Sequence, residues 1–99
     1  MRKSRNRVDA PTKSIRDAVR QVGGVYVDCT GDGSIGFDCI LAFRGRLFLC
    51  EIKNGEKPPS ARKLTGRELT RAAELARAGV LVHLVFDAED ALQIIEAAS

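Results

Sequence analysis

The sequence holds a single histidine, His83, and three cysteines, and no two of the cysteines stand in a Cys-x-x-Cys spacing. A structural zinc site draws four ligands from such residues, so the composition argues against one. Cys29, Cys39 and Cys50 are odd in number and unpaired in spacing. That speaks against a disulfide framework and for reduced thiols in a cytosol-like compartment. No apolar run approaches the roughly 18 residues of a membrane span, and no signal peptide is legible at the start. The expectation is a cytoplasmic protein with no membrane partner. There is no internal repeat and no low-complexity segment. No nucleophilic Ser or Cys constellation points to His83, which lies in an apolar stretch and reads as a core or boundary residue. The loop "DCTGDGSIG" has the Asp and Gly spacing of a calcium loop, but its twelfth position is Cys39 where a bidentate acid is needed, so an EF-hand is rejected.

What is present suits one small globular domain. The chain has 99 residues, 16 Lys and Arg against 13 Asp and Glu, and a net charge of +3. A domain this short buries a modest core, which makes a homodimer an easy way to hide more surface. The positive balance tilts toward an anionic partner. Arg2, Lys3, Arg5 and Arg7 make residues 1–8 a basic arm, read either as a solvated terminus or as a segment that touches phosphates. Residues 9–99 then form the domain.

Along the chain, Asp9 can cap a helix over about Ala10 to Gln21, with Ile15, Ala18, Val19 and Val22 at helical spacing and Gly23-Gly24 as its end. Val25 to Cys29 reads as a strand, and Thr30 to Gly36 as a loop of turn formers. Asp38–Phe43 and Arg46–Ile52 are strands about an Arg44-Gly45 turn. Asn54 to Leu64 is a polar connection, long enough to suggest function. Thr65-Gly-Arg-Glu68 is a capping-box pattern that opens a helix to about Ala78, with Leu69, Ala72, Ala73 and Ala76 on one face. Val80 to Phe86 reads as a strand, and Asp87 caps a last helix through Ile95. The order is αβββαβα. Both faces of the two central strands are mostly apolar, so the expected fold is α/β, a mixed central sheet with helices on its two sides.

Into those apolar strands the sequence sets Asp38, Glu51 and Lys53. Glu51 and Lys53 share a face by the strand period. A two-residue Arg44-Gly45 turn pairs Phe43 with Arg46, and the same register sets Asp38 opposite Glu51. Two carboxylates so placed repel. A divalent cation between them removes the repulsion, since Mg²⁺ and Mn²⁺ favour oxygen ligands. Lys53 then assists a water or a phosphate. The competing reading is that Lys53 simply neutralises the two acids at a polar sheet end. Lys57, Arg62 and Lys63 flank Pro58-Pro59-Ser60, either as a solvated loop or as a phosphate-contacting rim.

"GFDCILAFRGRLFLCEIKNG" resembles the core of the PD-(D/E)XK nuclease superfamily: an acid, a hairpin, then Glu-x-Lys. With "KPPSARKLT", a helix, and "VLVHLVFDAEDALQII", the chain is similar to the virus-type replication-repair (VRR-NUC) branch, in particular to small stand-alone phage and prophage proteins. The resemblance runs from about Arg7 to Glu96. It implies a restriction-endonuclease-like core, a bacterial or phage-infected host cell, and metal-dependent endonucleolytic hydrolysis of DNA, including branched or repair and recombination intermediates. Asp38 and Glu51 would be metal ligands for Mg²⁺ or Mn²⁺, the backbone carbonyl of Ile52 a further ligand, and Lys53 the catalytic lysine. An acid of the first helix, Asp9 or Asp17, would join them, although Asp9 is as easily a cap and Asp17 a solvated helix residue. Phe37 stands where the superfamily has proline. Leu69 stands near a position that is often glutamine, with Glu68 as a substitute that the capping box also explains. A catalytically weak or inactive DNA-structure-binding module is the alternative reading.

Overall fold

The computed structural model describes residues 10–58 and 63–97. The elements run α1 (Ala10–Gln21), β1 (Val25–Asp28), β2 (Cys39–Phe43), β3 (Arg46–Ile52), α2 (Gly66–Arg77), β4 (Val82–Val85) and α3 (Ala88–Ala97), in the expected αβββαβα order. The basic arm, Asp9, Pro59, Ser60 and Arg62 lie outside the described residues.

One four-stranded sheet has the order β1-β2-β3-β4. The first three strands pair antiparallel, and β4 joins β3 in parallel after a crossover through α2. Three strands are shorter than the sequence suggests, β2 starting at Cys39 rather than Asp38. The Asp28 carboxylate accepts from the Thr30 amide at 3.1 Å and from its hydroxyl at 2.7 Å, which bends the chain out of β1 before Cys29. The Val80 amide still donates to the Leu75 carbonyl at 2.8 Å, closing α2, so β4 begins only at Val82.

The β2–β3 register is the one the tight turn dictates: Phe43 pairs with Arg46 and Cys39 with Cys50. Arg44 and Gly45 have φ of 50° and 81°, the paired left-handed conformation of a type I′ turn. Arg44 is the only non-glycine among the described residues with positive φ. Its guanidinium lies 4.9 Å from the centre of the Phe43 ring, an attraction that offsets part of the strain.

The core lies on one face of the sheet. Ile15 and Val19 of α1, four residues apart, and Ala91 and Ile95 of α3, likewise, pack against Cys39, Leu41, Phe43, Phe48, Cys50 and Val85. The cysteines are buried free thiols. His83 sits at the margin of this core in edge-to-face contact with Phe48, ring centres 6.0 Å apart, and its burial lowers its pKa.

The second face departs from expectation. The apolar strands predict helix cover on both faces, but α2 has no buried residue and Leu69 is 55% exposed. Cross-strand pairing sets Val25, Ala42 and Leu47 in one row and Val27, Ile40, Leu49 and Val82 in the next. Within those rows Val25 is 55% exposed and Leu47 70% exposed. The reason is length: one 12-residue helix, about 18 Å long, cannot roof four strands, and α2 is drawn to the end of the face where the charges lie.

Candidate functional site

Those charges gather where β2 begins and β3 ends. The regular pairing of β2 with β3 ends at Cys39 and Cys50. The Asp38 amide also turns to the Cys50 carbonyl, at 3.0 Å, so Asp38 and Cys39 both face Cys50 in the manner of a bulge. The Asp38 and Glu51 side chains thus meet in one pocket rather than as a cross-strand pair. Asp38 Oδ2 accepts the Ile52 amide at 2.8 Å. Glu51 is buried, at 3% exposure, and is the only buried charged residue among those described.

Lys53 and Glu68 complete the group. Lys53 Nζ lies 3.7 Å from Glu51 Oε2 and 3.1 Å from Glu68 Oε1. Glu68 arrives as the third residue of α2, where the capping box fixes it: its Oε1 accepts from the Thr65 amide at 2.9 Å and from the Thr65 hydroxyl at 3.0 Å. The cap and the contact with Lys53 are therefore two functions of one carboxylate.

The electrostatics follow from this crowding. Burial, then the hydrogen bond with Glu68 and the charges of Asp38 and Glu68, push the Glu51 carboxyl up to about 9, against the pull of Lys53. Burial alone would raise Glu68 too, but its hydrogen bonds with Glu51, Thr65 and Lys53 outweigh burial and hold it low. Of the two carboxyls, Glu51 is thus the weaker acid and Glu68 the stronger.

Asp38, Glu51 and Glu68 line a pocket of about 370 Å³ whose other wall is the Thr30–Gly36 loop. That loop is tied to α2. Arg67 Nη1 donates to the Gly33 carbonyl at 3.1 Å and Arg71 Nη2 to the Ser34 carbonyl at 2.8 Å. Gly36, at φ +89°, packs so closely that a Cβ there would fall 2.6 Å from Arg71 Cβ. The sequence reading passed over Arg67 and Arg71; their only signal was a four-residue spacing on a helix that follows the motif.

The remaining candidates stand elsewhere. Asp17 is on α1, across the sheet from the acids, and pairs with Lys13 at 3.0 Å. Lys57 and Lys63 are exposed and do not line the acidic pocket.

The side-chain donors gathered here are carboxylate oxygens, the type that hard cations take. Among the described residues no cluster of three or more His, Cys, Asp and Glu side chains is arranged to hold a metal. Two carboxylates, completed by main-chain oxygen and water, are nonetheless the usual protein share of a Mg²⁺ shell. The raised Glu51 carboxyl is chiefly an effect of burial, to which the neighbouring carboxylates Glu68 and Asp38 add. No family model matches the chain, and neither a curated protein nor a solved structure matches it.

Proposed function

We propose that this domain is a metal-dependent deoxyribonuclease of PD-(D/E)XK type that hydrolyses phosphodiester bonds in DNA. The observation that carries the reading is the convergence of charge at the end of an apolar hairpin: Asp38 and Glu51 line one pocket, the Asp38 carboxylate is held by the Ile52 amide, and Lys53 lies beside Glu51. Nothing in the core requires a buried acid there, and a polar group placed against the packing rules is characteristic of a site.

Asp38 and Glu51 supply the carboxylate ligands for Mg²⁺ or Mn²⁺, with the Ile52 carbonyl as a third oxygen. When bound, the cation supplies Lewis-acid stabilisation of charge on the phosphoryl oxygens. Asp38 is oriented by the Ile52 amide, which leaves its second oxygen for a ligand. Lys53, aimed by Glu68, donates to a phosphoryl oxygen or positions the attacking water. Glu51 must release its proton to bind the cation, so ligand binding and ionisation are coupled.

The exposed rows on the same face support a homodimer, since an apolar sheet surface of this kind is usually covered. Two sites brought together on one side suit a two-stranded or branched substrate. The decisive experiment is cleavage of linear and branched DNAs with Mg²⁺, Mn²⁺ or EDTA, run beside the Glu51→Ala protein. Cleavage that persists in EDTA or in Glu51→Ala overturns the reading. Metal-independent binding of branched DNA without cleavage would favour a structure-binding module.

A further inference from the structure

The acidic pocket has one cationic wall residue that the metal-site reading leaves without a task. Arg67 lines the pocket with Asp38, Glu51 and Glu68, and among the described residues it is the only Lys or Arg to do so. Its guanidinium is fixed by a hydrogen bond to the Gly33 carbonyl at 3.1 Å, and Arg67 forms no ion pair among the described residues. Arg71, one turn further along α2, makes a similar bond to Ser34 but also pairs with Glu74 at 3.5 Å, and it does not line the pocket. A guanidinium has five N–H donors in a planar fork, and the Gly33 bond engages one nitrogen. A DNA strand entering a pocket of carboxylates is repelled. A cation at Asp38 and Glu51 offsets that repulsion only at the phosphate it touches, so a neighbouring phosphate needs its own counter-charge. An anchored arginine without a carboxylate partner meets that need, because its fork matches phosphate oxygens.

We infer that Arg67 is the substrate-anchoring residue of this pocket, binding a backbone phosphate of the DNA strand adjacent to the phosphodiester held at Asp38 and Glu51. The inference rests on the nuclease reading above. Gly33 presents the guanidinium, and Arg71 serves as the internal comparison: it ties the same loop without facing the pocket.

The test is a salt titration of binding to a DNA oligonucleotide with Ca²⁺ in place of Mg²⁺, for the wild type, Arg67→Ala, Arg67→Lys and Arg71→Ala. Arg67→Ala is expected to weaken binding about tenfold. It should also reduce the slope of log affinity against log salt by about one. Arg67→Lys, which keeps the charge, should recover the slope, and Arg71→Ala should leave it at the wild-type value. Should Arg67→Ala fail to fold, Arg67→Gln keeps a donor for Gly33 and carries the same expectation. An unchanged slope in Arg67→Ala, or an equal loss in Arg71→Ala, overturns the inference and reduces both arginines to ties for the loop. Mg²⁺-dependent cleavage by the wild type separates the two failures. With cleavage intact, an unchanged slope removes the role of Arg67 alone; a wild type that neither cleaves nor binds DNA removes it together with the nuclease reading.

Discussion

The Ile52 amide donates to Asp38 Oδ2 at 2.8 Å, so the first acid of the site is held by the strand that carries the second. The contact spans 14 residues of sequence and gives Asp38 a structural as well as a chemical role.

The two roles separate by substitution. Asp38→Asn keeps an oxygen acceptor for Ile52 and should fold with near wild-type stability while losing metal binding and at least about 100-fold in cleavage. Asp38→Ala should lose activity and also about 1–3 kcal/mol of stability, because the Ile52 amide is left without its partner. Denaturant unfolding beside a cleavage assay checks both. Equal stability of the two variants would deny Asp38 its tie to β3.

Glu51 makes stability depend on pH. Its carboxyl is raised in the folded protein, so the fold holds a proton that the unfolded chain releases above about 4.5. The stabilisation is therefore complete below that value and is lost as pH rises toward about 9. Without metal, Tm should fall between about pH 5 and 9, and Glu51→Gln should flatten the decline and gain at least ~1.4 kcal/mol at the alkaline end. Added Mg²⁺ should stabilise more as pH rises, since binding then displaces less proton. Thermal scans across pH, with and without Mg²⁺, read all three.

Lys53→Ala should abolish detectable cleavage, a loss of at least about 100-fold, yet leave metal binding within a few-fold of wild type. Removing the ammonium also removes the attraction that opposes the rise of the Glu51 carboxyl, so the pH dependence of metal binding should move upward. Calorimetric metal titration at two pH values measures this.

Gly36→Ala tests the loop–helix contact. The site has φ +89° and no room for a Cβ beside Arg71, so strain and overlap act together. A loss of about 2–4 kcal/mol is expected, with weakened DNA binding. Gly45→Ala, at φ +81° with nothing within 4 Å, should show the conformational part alone, about 1–2 kcal/mol. Equal losses in the two would mean that Arg71 yields without penalty.

Leu47→Glu should dissociate the proposed dimer without unfolding the monomer, since Leu47 is 70% exposed in the single chain. Light scattering at micromolar concentration checks it. A wild-type monomer that cleaves DNA would overturn the dimer.

The sequence by itself determined what depends on neighbours along the chain. Alternation in β2 and β3, the Arg44-Gly45 turn and the four-residue spacing of Ile15 and Val19 set the elements, the hairpin register and the core face. The turn fixed the pairs from Phe43 and Arg46 to Cys39 and Cys50, but the approach of Asp38 to the Glu51 pocket lies one residue beyond them, where the Asp38 amide bonds the Cys50 carbonyl out of register. Tertiary structure decided what depends on elements distant in sequence. Glu68 reads as a helix cap until α2 brings it 3.1 Å from Lys53. Arg67 has no role legible in the sequence; only the docking of α2 on the glycine loop sets its guanidinium against the Gly33 carbonyl. The apolar strands promised helix cover on both faces, but α2 lies at the charged end and leaves Leu47 open. Periodicity states which side of a helix is apolar; where that helix lands is set by charges and hydrogen bonds that no local pattern contains.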